Sequence, residues 1–209
     1  MTGREFLMDG PDDAEWTLLL AHGAGAPMDS AFMERVAGGL AEGGMRVVRF
    51  EFPYMARRRL DGRKRPPDRE DVLLDTWREV IGQFGEAKRL AVGGKSMGGR
   101  MASMVADEVG AGALVCFGYP FHPPGRPGKT RTAHLESLRT PALVVQGTRD
   151  PFGTRAEVEG YRLSGSIRLH WIEDGDHDLK PGRASGRRHD EAIEEATRAA
   201  ADFLGSIMN

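Results

Sequence analysis

Apolar and polar positions follow two patterns that alternate along the chain. Short apolar runs bounded by glycine, proline or charged residues are typical of buried strands, and longer stretches with apolar residues at helical spacing are typical of amphipathic helices. The predicted strands are Trp16–Leu20, Met45–Phe50, a run beginning at Leu90, Ala113–Phe117, a run following Thr140, and Ile167–Ile172. The predicted helices are Ser30–Gly43, Asp71–Phe84, Gly98–Val109, Thr154–Leu163 and Asp190–Ile207, with Asp29 or Ser30 capping the first and Asp190 the last. This alternation predicts an α/β fold with a mostly parallel sheet and helices on both faces.

The run that begins at Leu90 ends in the pentapeptide Gly94-Lys95-Ser96-Met97-Gly98, after which helix-forming residues resume. A G-x-S-x-G sequence between a strand and a helix is typical of a nucleophile elbow, with the serine at the apex of a tight turn. The serine has a strained backbone there, and a Cβ at either glycine would collide with the neighbouring strand or helix. We therefore predict that Ser96 is a nucleophile whose oxyanion faces the Met97 N–H and the positive end of the following helix.

Two other interpretations of this segment are possible. Gly94-Lys95-Ser96 resembles the end of a phosphate-binding loop, G-x-x-x-x-G-K-[ST], but that motif requires a glycine where the chain has Arg89. The other alternative is an ordinary glycine-rich turn without chemistry, in a chain that contains 28 glycines. The pentapeptide alone does not decide between this turn and a nucleophile elbow, so the choice depends on residues later in the chain.

Two polar residues follow later strands at the positions expected for partners of Ser96. Asp150 follows the run after Thr140, and His177 follows Ile167–Ile172, so both lie just beyond the carboxyl end of a strand. The order serine, aspartate, histidine is the order of the α/β hydrolases and differs from the orders in chymotrypsin and subtilisin. Taken singly, the aspartate also fits a turn or cap, and the histidine a solvated loop residue.

The predicted catalytic residues are Ser96, Asp150 and His177. In acyl transfer, His177 would take the Ser96 proton as general base and return it to the leaving group, and Asp150 would hold the imidazole tautomer. The alternative partners of the imidazole are Asp174, Asp176 and Asp178. Their closeness in sequence to the histidine makes its far nitrogen awkward to reach, so Asp150 is the preferred partner.

The loop after the first predicted strand is rich in glycine and alanine, which lets the backbone approach a substrate. A serine hydrolase needs a second oxyanion donor besides the Met97 N–H, and it takes that donor from this loop. We expect the donor to be the Ala24 N–H, with Gly23 or Gly25 as neighbouring alternatives. His22 is expected to pack behind the loop without a direct chemical role.

Two long segments, Pro53–Pro67 and Tyr119–Arg131, follow strands and are expected to be loops that border Ser96. Neither is long enough to form a folded lid. The candidate substrate-pocket residues in them are Tyr54, Tyr119 and His122. The candidate basic rim is Arg57, Arg58 and Arg126. Such a rim would favour a negatively charged substrate or leaving group, and the alternative is that these charges are solvated loop surface.

Composition and charge exclude several classes of function. With 209 residues and a formal net charge of −2, one domain spanning residues 1–209 is expected, without a general attraction to nucleic acid. No apolar run approaches a membrane span, and Met1–Phe6 lacks the pattern of a secretory signal, which predicts a cytoplasmic protein without a membrane partner. The single cysteine, Cys116, cannot form an internal disulfide and is typical of a buried strand residue. No Cys/His cluster has metal-site spacing, so neither a metal nor another cofactor is expected.

Six segments together resemble the α/β-hydrolase superfamily over essentially the whole chain. They are His22–Gly25, Phe50–Tyr54, Gly94–Gly99, Gly118–Pro124, Gly147–Asp150 and Asp176–Lys180. Within the superfamily the chain is similar to the small lidless dienelactone-hydrolase-like group, which also contains a chromatin-complex subunit and testis-expressed homologues. The resemblance implies the α/β-hydrolase fold without a large lid, and a serine-hydrolase apparatus. Authentic dienelactone hydrolases use cysteine at the elbow, where this chain has Ser96, so dienelactone is not the expected substrate.

We therefore expect a serine hydrolase, of the carboxylesterase or thioesterase type, that cleaves a small carboxylic ester or thioester through an acyl-enzyme. The alternative is a catalytically silent interaction module that keeps the fold, because fold alone does not fix function. The usual mark of such a module is a lost triad member, and none is lost here. The short polar loops count against a lipase, which usually needs an apolar lid.

Overall fold

The structure is a computed structural model that describes residues 4–85 and 89–208. Its strands are β1 (Phe6–Asp9), β2 (Thr17–Ala21), β3 (Arg46–Phe50), β4 (Leu90–Lys95), β5 (Ala113–Phe117), β6 (Ala142–Gly147) and β7 (Ile167–Ile172). They form one seven-stranded sheet in the order β1-β3-β2-β4-β5-β6-β7. β1 is antiparallel to β3, and every other neighbouring pair is parallel.

Helices cover both faces of this sheet. They are α1 (Ala31–Glu42), α2 (Pro53–Asp61), α3 (Glu70–Ile81), α4 (Met97–Val109), α5 (Arg155–Val158) and α6 (His189–Met208). Helices α3 and α4 pack on the face to which Leu19 contributes, and α1 and α6 pack on the face to which Leu18 and Leu20 contribute. Both faces of the central strands are therefore buried, which explains why their sequences are continuous apolar runs. No helix within the described ranges is long and apolar enough to cross a bilayer.

The parallel strands place the predicted site residues at one edge of the sheet. Ser96 directly follows β4, Asp150 follows β6 by three residues, and His177 follows β7 by five residues. The loop 22–27 follows β2, which is hydrogen-bonded to β4 on the side opposite β5. Residues far apart in sequence thus meet at the carboxyl edge, where open α/β sheets hold their ligands.

The predicted strands, and four of the five predicted helices, agree with the structure to within three residues at each end. The prediction of a helix over Thr154–Leu163 is wrong in length, because α5 is a single turn. Thr154 and Glu157 form a capping box at its start, and Gly160 follows soon after its end. Ser30 is the N-cap of α1 as expected, whereas Asp190 lies inside the first turn of α6, which begins at His189.

The prediction that Pro53–Pro67 is a loop is also wrong in its first half, which forms α2. Proline at the first helical position is favourable because its missing N–H has no partner there anyway, and Gly62 ends the helix in a left-handed conformation. Burial of Tyr54 and Met55 against the core outweighs the many exposed arginines that suggested a loop. Strand β1 was not predicted, because its four residues, three half-buried and one exposed, carry little periodic signal.

Candidate active site

Ser96 lies between β4 and α4 at the apex of a tight turn. Its backbone angles are φ 51° and ψ −115°, a sparsely populated region for a residue with a Cβ. A Cβ at Gly98 would lie 2.6 Å from the carbonyl oxygens of Ala21 and His22, and one at Gly94 would collide with the Ala21 carbonyl oxygen. The close approach of β2 therefore requires glycine at both positions.

His177 joins Ser96 to Asp150 through two hydrogen bonds. Its Nε2 atom lies 2.8 Å from Ser96 Oγ, and its Nδ1 atom lies 2.8 Å from Asp150 Oδ2. A carboxylate only accepts hydrogen bonds, so Nδ1–H donates to Asp150 and Nε2 is left to accept the Ser96 hydroxyl proton. This tautomer is the one that a general base requires.

Asp150 is fully buried, and its carboxylate is satisfied by donors on both oxygens. Gln146 Nε2 donates to Oδ2 at 2.9 Å, and the backbone N–H of Phe152 donates to Oδ1 at 2.8 Å. A buried charge is tolerated only when such partners compensate its lost hydration. The Phe152 ring also packs against the His177 imidazole, with centroids 4.1 Å apart. The aspartate and the imidazole are thus both fixed by the segment that follows β6.

The three alternative aspartates are engaged elsewhere. Asp174 pairs with Arg149 and accepts a backbone hydrogen bond from Gly182. Asp176 accepts from the backbone N–H groups two and four residues later and so stabilises its own turn. Asp178 forms an ion pair with Lys95 at 3.4 Å. Among the carboxylates of the described residues, only that of Asp150 is hydrogen-bonded to the imidazole.

The loop after β2 is held from behind by His22 and by Tyr54. Burial lowers the pKa of His22, and the Phe52 N–H donates to its Nε2 at 3.1 Å, so the neutral ring carries its proton on Nδ1. That Nδ1–H donates to the Gly23 carbonyl at 2.6 Å. The Tyr54 hydroxyl donates to the Ala24 carbonyl at 3.0 Å. These bonds use the carbonyls of the loop and leave the Ala24 N–H outside the network.

A cavity of about 680 Å³ opens beside the elbow. Ser96 and His177 line it together with both predicted oxyanion residues, Met97 and Ala24. Met97 is the first residue of α4, where backbone N–H groups have no partner within the helix. The apolar part of the wall includes Phe32, Met33, Leu73, Met101, Pro120 and Phe152.

Comparison with known proteins agrees with this architecture. Residues 14–205 match the model of a family described as an alpha/beta hydrolase domain. The chain belongs to the alpha/beta hydrolase family. The fold is similar to a lidless α/β serine hydrolase from Xanthomonas campestris, at 22% identity, with 93% of this chain and 88% of that chain covered and a TM-score of 0.66. It is also similar to an α/β serine hydrolase homologue from Coxiella burnetii (20% identity, 93% and 90% covered, TM-score 0.67) and to a dienelactone hydrolase from Anabaena variabilis (21% identity, 96% and 90% covered, TM-score 0.69).

The three aromatic residues expected to form the pocket lie behind its wall in this α/β hydrolase. Tyr54, Tyr119 and His122 are all buried, and none of them lines the cavity beside Ser96. The Tyr119 hydroxyl donates to the Arg131 carbonyl at 3.1 Å, and the His122 Nδ1 contacts the Pro123 carbonyl at 2.8 Å. The segments do border the site, but their aromatic side chains turn into the core because burial there removes apolar surface from water.

The arginines expected to form a basic rim are also placed differently. Arg57 pairs with Asp68 at 2.5 Å, Arg58 donates to the Gly25 carbonyl at 3.2 Å, and Arg126 is exposed. None of the three arginines lines the cavity. The basic residues that do line it are Lys95, Arg100 and Arg131. Sequence reasoning did not single these out, because which side chains of a loop or helix face a cleft depends on tertiary packing.

Lys95 contacts the loop that carries the imidazole. Its Nζ atom donates to the His177 carbonyl at 2.5 Å and lies 5.5 Å from the centroid of the Phe32 ring. Desolvation lowers the pKa of this buried lysine, and the negative charge of Asp178 opposes that effect. The only sign of this contact in the sequence was a lysine at the last position of an apolar strand, one residue before Ser96.

A second serine and histidine pair lies behind the cavity wall. Ser103 Oγ is 2.8 Å from His134 Nε2, but the serine hydroxyl also donates to the Arg100 carbonyl at 2.7 Å. Because a hydroxyl has one proton, Nε2 of His134 must be the donor in the first contact, which is the reverse of a general base. Burial lowers the pKa of His134, and no carboxylate among the described residues is hydrogen-bonded to its ring. This pair is therefore a structural contact between α4 and the segment 133–136.

The remaining candidate groups are accounted for by packing. Cys116 is fully buried in β5, its thiol contacts the Gly99 carbonyl, and burial raises its pKa, so it behaves as the core residue that its sequence predicts. Across residues 4–85 and 89–208, no group of three or more His, Cys, Asp or Glu side chains is placed to hold a metal ion.

Proposed function

We propose that this α/β hydrolase is a serine hydrolase that cleaves a small carboxylic ester or thioester through an acyl-enzyme. The observation that supports this proposal best is the continuous chain of hydrogen bonds from Ser96 through His177 to Asp150, with 2.8 Å at both links. An isolated serine hydroxyl is a weak nucleophile near neutral pH, and a base that accepts its proton activates it. The buried carboxylate at the far end stabilises the imidazolium that forms.

In the acylation step, Ser96 Oγ attacks the carbonyl carbon of the substrate while its proton moves to Nε2 of His177. The electron pair of the C=O bond moves onto oxygen and gives a tetrahedral intermediate. This intermediate collapses when the bond to the alcohol or thiol breaks, and the imidazolium gives its proton to that leaving group. The acyl group is then esterified to Ser96.

In the deacylation step, a water molecule replaces the serine as nucleophile. His177 takes a proton from the water as its oxygen attacks the acyl carbon. Breakage of the acyl–Oγ bond releases the carboxylic acid, and the proton returns from the imidazolium to Ser96. No net proton is gained or lost by the protein in the cycle, and one water molecule is consumed.

The negative oxygen of both tetrahedral intermediates would accept hydrogen bonds from the backbone N–H groups of Met97 and Ala24. Both residues line the cavity with Ser96, and Met97 begins α4, whose dipole is positive at that end. Loss of one such donor typically lowers turnover by about 10² to 10³. The cavity of about 680 Å³ suits a small-molecule substrate.

The experiment that tests the proposal is labelling of the purified protein with a fluorophosphonate, which reacts with activated serines. We expect rapid labelling of the native protein, no labelling of Ser96→Ala, and a rate reduced by about 10³ or more in His177→Ala and Asp150→Asn. Ser103→Ala is the matched control, because it removes the hydroxyl of the other serine that contacts a histidine.

Each outcome of this experiment is informative if the variants are first shown to be folded by circular dichroism. Labelling lost in Ser96→Ala and retained in Ser103→Ala supports the proposal. Labelling retained in Ser96→Ala would assign the reactive serine elsewhere. A folded native protein that does not label, and that hydrolyses no member of a broad ester and thioester panel, would overturn the proposal in favour of a silent interaction module.

A further inference from the structure

The charged side chains that line the cavity beside Ser96 are almost all neutralised within the protein. Apart from the imidazole, they are Asp68, Glu70, Lys95, Arg100, Arg131 and Asp178. Glu70 pairs with Arg100 at 2.7 Å, and Asp178 pairs with Lys95 at 3.4 Å. Asp68 pairs at 2.5 Å with Arg57, which lies outside the cavity.

Arg131 is the exception. No carboxylate among the described residues lies within 4.0 Å of its guanidinium, although the side chain is half-buried at the cavity. Desolvation, followed by repulsion from the Arg100 guanidinium, lowers the pKa of Arg131, and a weaker attraction to the Glu70 carboxylate opposes that shift. A guanidinium stays protonated in proteins, so Arg131 remains a partly desolvated cation without an ion-pair partner among the described residues. A bound anion would supply that partner.

The backbone of Arg131 is fixed in place. Its N–H donates to the Phe121 carbonyl at 2.7 Å, and its carbonyl accepts from the buried Tyr119 hydroxyl at 3.1 Å. These bonds tie the end of the segment 118–131 to its beginning. The backbone position of Arg131 beside the cavity is therefore set by the fold, so a ligand would have to order only its side chain.

Arg100 lies on the helix that begins at the nucleophile elbow. It lies one turn after Ser96 on α4, where its backbone N–H donates to the Ser96 carbonyl at 3.0 Å. The helical rise separates the backbones of the two residues by roughly 6 Å along the helix axis. Its Nε atom is buried and has no hydrogen-bond partner, although its terminal nitrogen is used by Glu70. Both arginines line the same cavity as Ser96, so one small anionic substrate can contact the nucleophile and an arginine together.

We infer that Arg131, assisted by Arg100, forms an anion-binding subsite of the active-site cavity, and that the substrate is an ester or thioester carrying a carboxylate or another oxyanion a short chain away from the scissile carbonyl. This inference rests on the proposed function for the identity of the scissile bond. The anion is recognised by the planar guanidinium through charge-assisted hydrogen bonds, which are stronger than those between neutral groups.

The test compares matched ester pairs in the native protein and in Arg131→Gln. One pair, 4-nitrophenyl hemiglutarate and 4-nitrophenyl pentanoate, places the carboxylate on the acyl side. The other pair, 3-carboxy-4-nitrophenyl acetate and 4-nitrophenyl acetate, places it on the leaving group. We expect the ratio of kcat/KM for anionic over neutral ester to fall about tenfold or more in Arg131→Gln for at least one pair, and that pair identifies the side of the substrate that bears the charge.

Two further variants keep this test falsifiable. Arg131→Lys preserves the positive charge and is expected to retain more of the ratio than Arg131→Gln. Arg126→Gln removes an exposed arginine from the same segment, outside the cavity, and is expected to leave the ratio unchanged. A ratio that is unchanged in Arg131→Gln for both pairs, or that falls equally in Arg126→Gln, would overturn the inference.

The anion site can also be tested without catalysis, so that its failure and that of the proposed function are distinguishable. Glutarate binding to Ser96→Ala is measured by isothermal titration calorimetry, with and without the additional Arg131→Gln substitution. Binding that requires Arg131 supports the subsite even if Ser96 does not react with a fluorophosphonate. No glutarate binding, together with fast labelling of Ser96 and no preference for anionic esters, overturns the subsite and leaves the proposed function intact.

Discussion

At the scale of single residues, the candidate site combines local strain with buried polar partners. Ser96 has a positive φ of 51°, and the close contacts of β2 with the two flanking glycines over-determine that conformation. Three contacts fix His177. Asp150 accepts a hydrogen bond from Nδ1 of the imidazole, the Phe152 ring packs against the imidazole, and Lys95 donates to the backbone carbonyl of His177. The position of His177, the proposed general base, thus depends on residues that take no part in the proposed proton transfer.

Lys95 provides the prediction that belongs to this scale. Lys95→Met keeps much of the side-chain volume but leaves the His177 carbonyl without its donor, so the loop carrying the base should loosen. We expect the rate of Ser96 labelling by a fluorophosphonate to fall by about 10-fold to 100-fold, because small misplacements of a catalytic group have effects of this size.

The matched control for Lys95→Met is Asp178→Asn. It removes the ion pair of Lys95 but keeps the hydrogen bond from Nζ to the His177 carbonyl. Its labelling rate should fall less than that of Lys95→Met, since the Asp178 carboxylate is itself exposed and the hydrogen bond to the His177 carbonyl remains. Equal rates in Lys95→Met and the native protein would show that Lys95 does not position the base.

At the scale of elements, the proposed oxyanion loop is supported by a helix that the sequence did not predict. Helix α2 places the Tyr54 hydroxyl 3.0 Å from the Ala24 carbonyl and the Arg58 guanidinium 3.2 Å from the Gly25 carbonyl. Asp68 in turn accepts from the Tyr54 N–H at 2.7 Å near the start of α2. The segment that was expected to contribute Tyr54 to the substrate pocket therefore holds the proposed oxyanion loop in place from behind.

Tyr54→Phe tests this bracing role. The substitution removes one hydroxyl and keeps the buried ring, so the free energy of unfolding should fall by only about 1 kcal/mol. The loop carrying Ala24 should become less ordered. The labelling rate of Ser96 should therefore fall several-fold, although the loss of stability is too small to unfold the protein. Leu60→Ala, on the exposed side of the same helix, is the control and should change neither quantity. An unaltered labelling rate in Tyr54→Phe would rule out the bracing role.

At the scale of the whole molecule, one sheet separates two apolar cores and gathers the polar network at its carboxyl edge. Two histidines lie within this packing as neutral groups, because burial lowers the pKa of both His22 and His134. In the unfolded chain each ring has the ordinary histidine pKa of about 6.5. Below that pH the unfolded state binds protons that the native state does not, so stability falls as the pH falls.

The pH dependence of stability should therefore respond to His22. Each such histidine contributes a slope of at most about 1.4 kcal/mol per pH unit below pH 6.5, until its native-state pKa is reached. His22→Gln keeps an acceptor for the Phe52 N–H and removes the titration. Urea unfolding at pH 7.5 and pH 5.5 should show a loss of stability that is smaller in His22→Gln than in the native protein, by up to about 1 kcal/mol. His189→Gln, whose ring bonds at the surface, should behave like the native protein, and an equal loss in all three would contradict the assignment.

The sequence by itself determined the α/β fold, the positions of most strands and helices, and the three residues that meet at the sheet edge. It could do so because apolar runs and helical spacing are local properties, and because a strand followed by G-x-S-x-G is a local constraint on the backbone. Parallel strands end at a common edge of the sheet, so Ser96, Asp150 and His177, which each follow such a strand, lie at the same edge.

Only the tertiary structure decided which side chains line the cavity. The basic and aromatic residues of the two long segments are similar in sequence, yet Arg57 is neutralised by Asp68 whereas Arg131 has no carboxylate partner among the described residues. Tyr54 and Tyr119 turned inward because burying a large ring against the core is more favourable than exposing it at a cavity. Direction and pairing depend on residues distant in sequence, so neither periodicity nor motif spacing contains that information.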